Sequence, residues 1–227
     1  VSSLRILIWA LAIAVAGFMV LASSFDAVRP ELASEHVYWH LGRASGFIAY
    51  GLLVASVVLG LAISSRVFDG LLVRPWVFEM HQFLSIYVLI AMVFHAFIML
   101  PDQYAQFSVQ ELAVPFAASY HPIALGLGGI ALYGSVIVSA SFYVKKHIGQ
   151  QAWRLLHYLT FVLFVLALVH GVFAGTDSGE QWAQLTYLST GLMVLFFTFF
   201  RILAARRAGA PAKPMAKPRL AEVATAQ

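Results

Sequence analysis

HQFLSIYVLIAMVFH (His81–His95) and WRLLHYLTFVLFVLALVH (Trp153–His170) are apolar for most of their length, and each carries a histidine near either end. His81 and His95 stand fourteen residues apart, His157 and His170 thirteen. An ionisable side chain within a membrane-length apolar run is costly to keep, so four of them point to function. At 1.5 Å of rise per residue the spacings correspond to about 21 Å and about 19.5 Å of helix. Two such helices side by side would present a pair of imidazoles at each of two depths, the ligand set of two stacked hemes.

Outward from these segments the whole chain has a membrane composition. Of its 227 residues 61% are apolar and only 11% charged, with a mean hydropathy of +0.85, against roughly 25% charged residues in soluble domains. Cysteine is absent, which excludes disulfides, thiolate iron–sulfur clusters and thioether attachment of heme. Any heme is therefore non-covalent, held by its axial ligands and its pocket. The net charge of +4 is explained by membrane topology, because the cations flank the apolar runs, and nucleic-acid binding is not expected.

Six apolar stretches are long enough to cross about 30 Å of hydrocarbon as helices: Leu4–Ser23, Gly42–Ser64, Phe78–Leu100, Pro122–Tyr143, Trp153–Phe173 and Gln184–Ala204. If the connections alternate between the two sides, one side collects Arg66, Arg74, Lys145, Lys146, Arg154, Arg201 and the remaining cations except Arg29 and Arg43. The other collects Asp26, Glu31, Glu35, Asp102, Glu111, Asp177 and Glu180. Excess Lys and Arg marks the cytoplasmic side, so the expected fold is an all-α, polytopic six-helix bundle of the plasma membrane with both termini cytoplasmic. Residues 1–207 form its heme-binding domain, and 208–227, rich in Ala, Pro and Lys, form a disordered basic cytoplasmic tail. The first run is long for a cleaved signal peptide and is expected to be a retained helix.

On this topology His81 and His157 share the inner level and His95 and His170 the outer one. A lone membrane histidine is as well explained by interhelical packing, whereas four at matched depth are not. Each ring needs an acceptor for its second nitrogen, a helix carbonyl by preference. The azimuths match less well than the depths. Fourteen residues return to within about 40° of the starting face and thirteen miss it by about 140°, so a bend, a tilt or ligation from different flanks of the second histidine helix is required.

The other histidines fall outside the spans. His36, His40 and His121 lie on the outer side, where they are candidates to hold a metal substrate, and His147 belongs to a basic loop. Heme carboxylates favour cations at the interfaces, which makes Arg43, Arg74 and Arg154 candidates. Phe94, Phe161 and Phe164 are candidates to line the space between the hemes. The run GLGGIALYGS (Gly126–Ser135) looks like a nucleotide loop but has no strand before it, so close helix packing is the better account, as for Gly42 and Gly46. No flavin or nicotinamide domain is present in this sequence.

The two histidine segments resemble the ferric reductase-like transmembrane domain, a family that includes the membrane halves of NADPH oxidases, ferric-chelate reductases and the heme subunit of periplasmic methionine sulfoxide reductase systems. The similarity covers nearly all of residues 1–207, and LGRASG around Arg43 resembles the start of the second helix in the oxidases, where the arginine lies near the outer heme. The resemblance implies six helices and two b hemes that conduct electrons from a cytoplasmic donor to an outer acceptor. The oxidases carry a further histidine one turn past the outer ligand of the third helix; Met99 stands here, which argues against oxygen reduction. In the methionine sulfoxide reductase branch the first ligand position of that helix is typically not histidine, so His81 favours a full two-heme wire.

The expected function is thus that of a membrane heme subunit of an oxidoreductase, with His81, His95, His157 and His170 as ligands of the heme iron. Electrons would come from a separate cytoplasmic flavoprotein or a quinol, any flavin residing on that partner. They would leave to a ferric chelate, oxygen or a partner oxidoreductase. The first alternative is a ferric or cupric metalloreductase acting at the outer heme. The second is a non-heme transporter or structural membrane protein, which the proline-free histidine spans disfavour.

Overall fold

A computed structural model of the chain describes residues 37–66, 73–102 and 105–208. Its long helices are α1 (Val37–Ser65), α2 (Arg74–Ile98), α4 (Pro122–Ile148), α5 (Gln150–Ala174) and α6 (Gln181–Ala208), with a short α3 (Val109–Ala113) and a 3-10 turn (Thr176–Gly179) between them. Among the described residues there is no strand. Five helices are long and apolar enough to cross a membrane, and they correspond to the last five expected spans. The expected first span, Leu4–Ser23, and residues 209–227 of the expected tail lie outside the described residues, while Ala208, the first residue of that tail, ends α6.

Helix boundaries follow from local chemistry. Pro75 stands in the first turn of α2 and Pro122 in that of α4, where a missing N–H costs nothing. α4 passes into α5 through Gly149 alone, at φ +84°, a conformation glycine adopts freely. Its N–H donates to the Lys145 carbonyl at 3.0 Å and its carbonyl accepts from Trp153 N–H at 3.1 Å, so one residue reverses the chain. His147 consequently lies in the last turn of α4 rather than in a loop, and His40 lies inside α1, which begins at Val37.

Consecutive long helices alternate in direction. The α1–α2 and α4–α5 junctions and the end of α6 share one end of the bundle, which holds Arg66, Arg74, Lys145, Lys146, Arg154 and Arg201. The opposite end holds Asp102, Glu111, Asp177 and Glu180, with Arg43 as the exception to its sign. These are called the basic and acidic ends below.

α1 is the most enclosed helix. Its Tyr50, Leu53, Val57 and Leu61 pack with Val88 of α2, Phe164 of α5 and Tyr187 and Val194 of α6 in one buried cluster. Hydrogen bonds between hydroxyls tie the helices across this cluster: Tyr50 to Thr190 at 2.6 Å and Ser56 to Ser85 at 3.2 Å. The outward faces are apolar too, with Leu155 72%, Ile123 71% and Phe173 66% exposed. A helix apolar on every face and exposing such side chains is at home against lipid.

Candidate functional site

The bundle leaves α2 and α5 facing each other, and the four histidines meet across that space in the expected pairs. His81 faces His157 near the basic end with ring centroids 6.2 Å apart and planes at 82°. His95 faces His170 near the acidic end at 6.1 Å and 72°. Two metal–nitrogen bonds of about 2.0 Å plus two ring radii of about 1.2 Å separate the centroids of trans imidazoles by about 6.4 Å. The two histidine pairs are close to that value, which is also the spacing of ordinary edge-to-face pairs such as Trp39–Tyr120 at 6.2 Å.

The second ring nitrogens show which atom is offered inward. Nδ1 of His95 lies 2.9 Å from the Gly42 carbonyl, and Nδ1 of His170 lies 2.9 Å from the Ala124 carbonyl. A carbonyl oxygen only accepts, so both Nδ1 atoms carry the proton and both Nε2 lone pairs are left to bind a metal. Ser45 Oγ donates to the same Gly42 carbonyl at 2.9 Å and lies 3.3 Å from Nδ1 of His95. His81 differs in that its buried Nδ1 makes no hydrogen bond of ordinary length and angle, although the Ser56 carbonyl of α1 lies near it.

Glycines make room for three of the rings. A methyl group added to Gly46 would meet Cε1 of His95 at 3.0 Å, one on Gly60 would meet Cε1 of His81 at 3.1 Å, and one on Gly128 would meet Nδ1 of His170 at 2.6 Å. Gly46 and Gly60 are fourteen residues apart on α1, the same interval as His81 and His95 on the antiparallel α2, so each ring lies in a notch of its neighbour. The composition of Gly126–Ser135 has the same explanation, with Gly128 under His170, Gly134 against Leu163 and Gly126 against Phe116. The fourth ring, His157, rests on its own helix instead, stacked on Trp153 at 5.2 Å and 24°.

That contrast accounts for the thirteen-residue interval. His170 leans toward α4, where its hydrogen bond is, while His157 leans along α5 toward Trp153. The two rings thus reach the space before α2 from different flanks of one helix.

A cavity at the acidic end is lined by His95, His170, Gly42, Gly46, Gly128 and Met99, with Arg43 and Asp177 at its rim. Arg43 Nε donates to Asp177 Oδ2 at 2.8 Å, and a second guanidinium nitrogen donates to Oδ1 of the same carboxylate. The arginine expected beside the outer cofactor is therefore at that cavity, where Asp177 forks onto it. Above the cavity, α3 begins with a capping box in which Ser108 Oγ accepts from Glu111 N–H and the Glu111 carboxylate accepts from Ser108 N–H. The other oxygen of Glu111 accepts from the backbone and hydroxyl of Ser119 at 3.0 and 2.8 Å. These bonds to its charged form, the Ser108 backbone first, lower the Glu111 carboxyl to about 2.

Of the outer histidines, His36 lies outside the described residues. His40 is exposed on a shallow groove beside Arg43 and Asp177, and His121 packs edge-on against Tyr120 at 4.4 Å. Among the described residues no three His, Cys, Asp or Glu side chains converge on a metal-sized site, so no outer metal-substrate cluster forms from them. Arg74 and Arg154 are exposed at the basic end. Phe164 is buried and Phe161 packs against the same core, while Phe94 is more exposed. Gly60, the histidines as what the glycine notches hold, the Ala124 acceptor, Trp153 beneath His157 and the Asp177 partner of Arg43 were not singled out from the sequence. Only the repeated interval of Gly46 and Gly60 carried a readable signal for any of them.

In comparisons with known proteins, the family model described as "Ferric reductase like transmembrane component" matches residues 45–168, more than half of the chain. The match contains His81, His95 and His157 and ends two residues before His170. No curated protein and no solved structure matches the chain.

Proposed function

Because the chain belongs to the family of ferric reductase like transmembrane components, we propose that it carries electrons across a membrane through two b hemes, one between His81 and His157 and one between His95 and His170. The observation that carries this reading is the facing of the imidazoles at two depths, with centroids 6.2 and 6.1 Å apart. The tautomers of His95 and His170 support it, since both leave Nε2 free as a ligand. Each bound heme would supply a one-electron ferric/ferrous couple.

The protein's part is to hold, orient and insulate. The carbonyls of Gly42 and Ala124 fix two rings, and the notches at Gly46, Gly60 and Gly128 keep three from turning. Halfway along the histidine intervals, Val88 on α2 and Phe164 on α5 are both buried, in the cluster that includes Tyr50 and Leu53. This apolar layer keeps water and ions out of the path while electrons tunnel through it. At the acidic end, Arg43 supplies a cation beside the outer cofactor's carboxylates, in a site otherwise populated by acids.

Donor and acceptor follow from the ends of the bundle. The basic end is cytoplasmic by the charge rule and receives electrons from a flavoprotein or quinol. Movement toward the acidic end gains about 2.3 kcal/mol per 100 mV of an inside-negative potential. The acceptor there is a partner oxidoreductase, or a ferric chelate reduced directly.

A pyridine hemochrome assay on purified protein tests the proposal, and the expected result is two hemes per chain. Protein without heme would sink it. Adding ferric chelate to the dithionite-reduced protein separates the two acceptors: rapid reoxidation by chelate alone supports the reductase form.

A further inference from the structure

At the basic end a buried hydrogen-bond donor without an acceptor lies beside a cation that rests on the face of the same ring. The indole nitrogen of Trp153 is buried and has no hydrogen-bond partner. Buried donors in native structures are nearly always paired, so one left open next to a functional site calls for a ligand. Lys145 lies with Nζ 4.1 Å from the centre of the same indole and is half-buried, whereas its neighbour Lys146 is exposed. The single-residue turn at Gly149 brings them together, folding the last turn of α4 onto the first turns of α5.

An ammonium and an indole N–H only donate, so the ligand they fit is an acceptor, and the positive charge makes it an anion. Its place is set by Trp153, which stands one helical turn before His157 and stacks on that ring with planes at 24°. The indole N–H is thus carried by the side chain that braces one member of the basic-end histidine pair. We infer that Trp153 N–H and the Lys145 ammonium bind a carboxylate of the porphyrin held between His81 and His157. This rests on the two-heme reading above. It gives the anchoring role at this level to Lys145 and Trp153 in place of Arg74 and Arg154, both of which are exposed. A phospholipid phosphate offers similar chemistry, and the vesicle arm of the test below separates the two sources.

The test titrates full-length apoprotein in detergent with protoheme and with its dimethyl ester, which keeps the ring and lacks the charge. A His170→Ala background leaves one bis-histidine level, so a single affinity is read for each porphyrin. Protoheme is expected to bind on the order of a hundred-fold tighter than the ester, the scale of two charge-assisted hydrogen bonds. Trp153→Phe, which keeps the stacked ring, and Lys145→Met should each weaken protoheme on the order of ten-fold and leave the ester unchanged. Protoheme and ester binding equally, or either variant retaining the full preference, overturns the assignment. So does a loss that is the same for both porphyrins and appears only in vesicles containing anionic phospholipid, which would give the site to a lipid phosphate. If the unsubstituted protein takes up no heme, the two-heme reading itself has failed; if it binds heme and only the preference is missing, that reading stands and this one falls.

Discussion

The two histidine levels are built by different means. At the acidic end both rings are tied from outside their own helices, His95 to a carbonyl of α1 and His170 to one of α4, with glycine notches behind each. At the basic end His81 has a notch but no hydrogen bond of ordinary length and angle, and His157 leans on a tryptophan of its own helix. Both rings of one level are tied by backbone hydrogen bonds, while the other level has a glycine notch for one ring and a side-chain stack for the other. Rigid backbone acceptors fix tautomer and azimuth together, so the acidic-end level should resist small changes and fail abruptly. The basic-end level should yield gradually.

Removing one of the proposed ligands breaks the comparison most severely. His95→Ala or His170→Ala is expected to lower heme content from two to one per chain by hemochrome assay, and joining either to His157→Ala should give colourless protein. The glycines come next and sharpen the contrast. Gly128→Ala places a methyl group 2.6 Å from the His170 nitrogen that donates to Ala124, so it must displace the ring and break that bond. It should cost the acidic-end heme. Gly46→Ala and Gly60→Ala meet ring carbons at 3.0 and 3.1 Å, contacts that a few tenths of an ångström relieve. Both should retain two hemes, with a shifted Soret band or midpoint potential, and Gly60→Ala should disturb its ring less because no hydrogen bond of ordinary length and angle holds His81 in register.

Much of this architecture was legible in the sequence because membrane helices write their length and depth in one dimension. The positions of His81, His95, His157 and His170 gave both levels, since rise per residue converts directly to depth. Azimuth is another matter. Whether residues thirteen apart can face one partner depends on where each ring finds support: Trp153 stands one turn before His157 on the same helix, but Ala124 acquires its role for His170 only once α4 and α5 pack together. Asp177 could not be matched to Arg43 for the same reason, because 134 residues separate them and only the closing of α5 against α1 brings them within 2.8 Å. Glycine was read as packing, which is correct. That what packs there is the histidine was hidden, because an absent side chain does not name its neighbour.

The Arg43–Asp177 pair supplies an intermediate effect. With 34% and 15% of the two side chains exposed, it stands between an exposed pair, worth about 0–1 kcal/mol, and a buried one, whose disruption costs about 3–5 kcal/mol. Asp177→Asn leaves the Arg43 cation in the cavity wall without its counter-charge and free to serve an anionic cofactor alone. The expected outcome is a modest fall in thermal stability of the apoprotein and a rise in the midpoint potential of one heme only, since an unneutralised cation favours the ferrous state. Equal shifts in both potentials would show that the two levels are not electrostatically separate.

The smallest effect lies at the surface of the acidic end, where Glu111 binds Ser108 and Ser119 and so fastens α3 over the cavity. The carboxyl sits at about 2 in the folded loop against 4.5 for the free group. A depressed folded value means that the loop gains order from the charged carboxylate above pH 4.5 and loses that gain as pH falls toward 2. At neutral pH the fastening is complete, and Glu111→Gln should mimic its loss at any pH. Hydrogen exchange across residues 105–121, corrected for intrinsic rates, should therefore quicken below pH 4.5 in the wild type and be already fast and nearly pH-independent in the variant. Exchange in α1 and α2 around His95 should be unchanged in both, because its bond to the Gly42 carbonyl lies within the bundle and does not pass through the loop. A matching acceleration there would mean that the cap and the histidine level form one cooperative unit, and that the acidic end owes its rigidity to the loop as much as to the helix backbone.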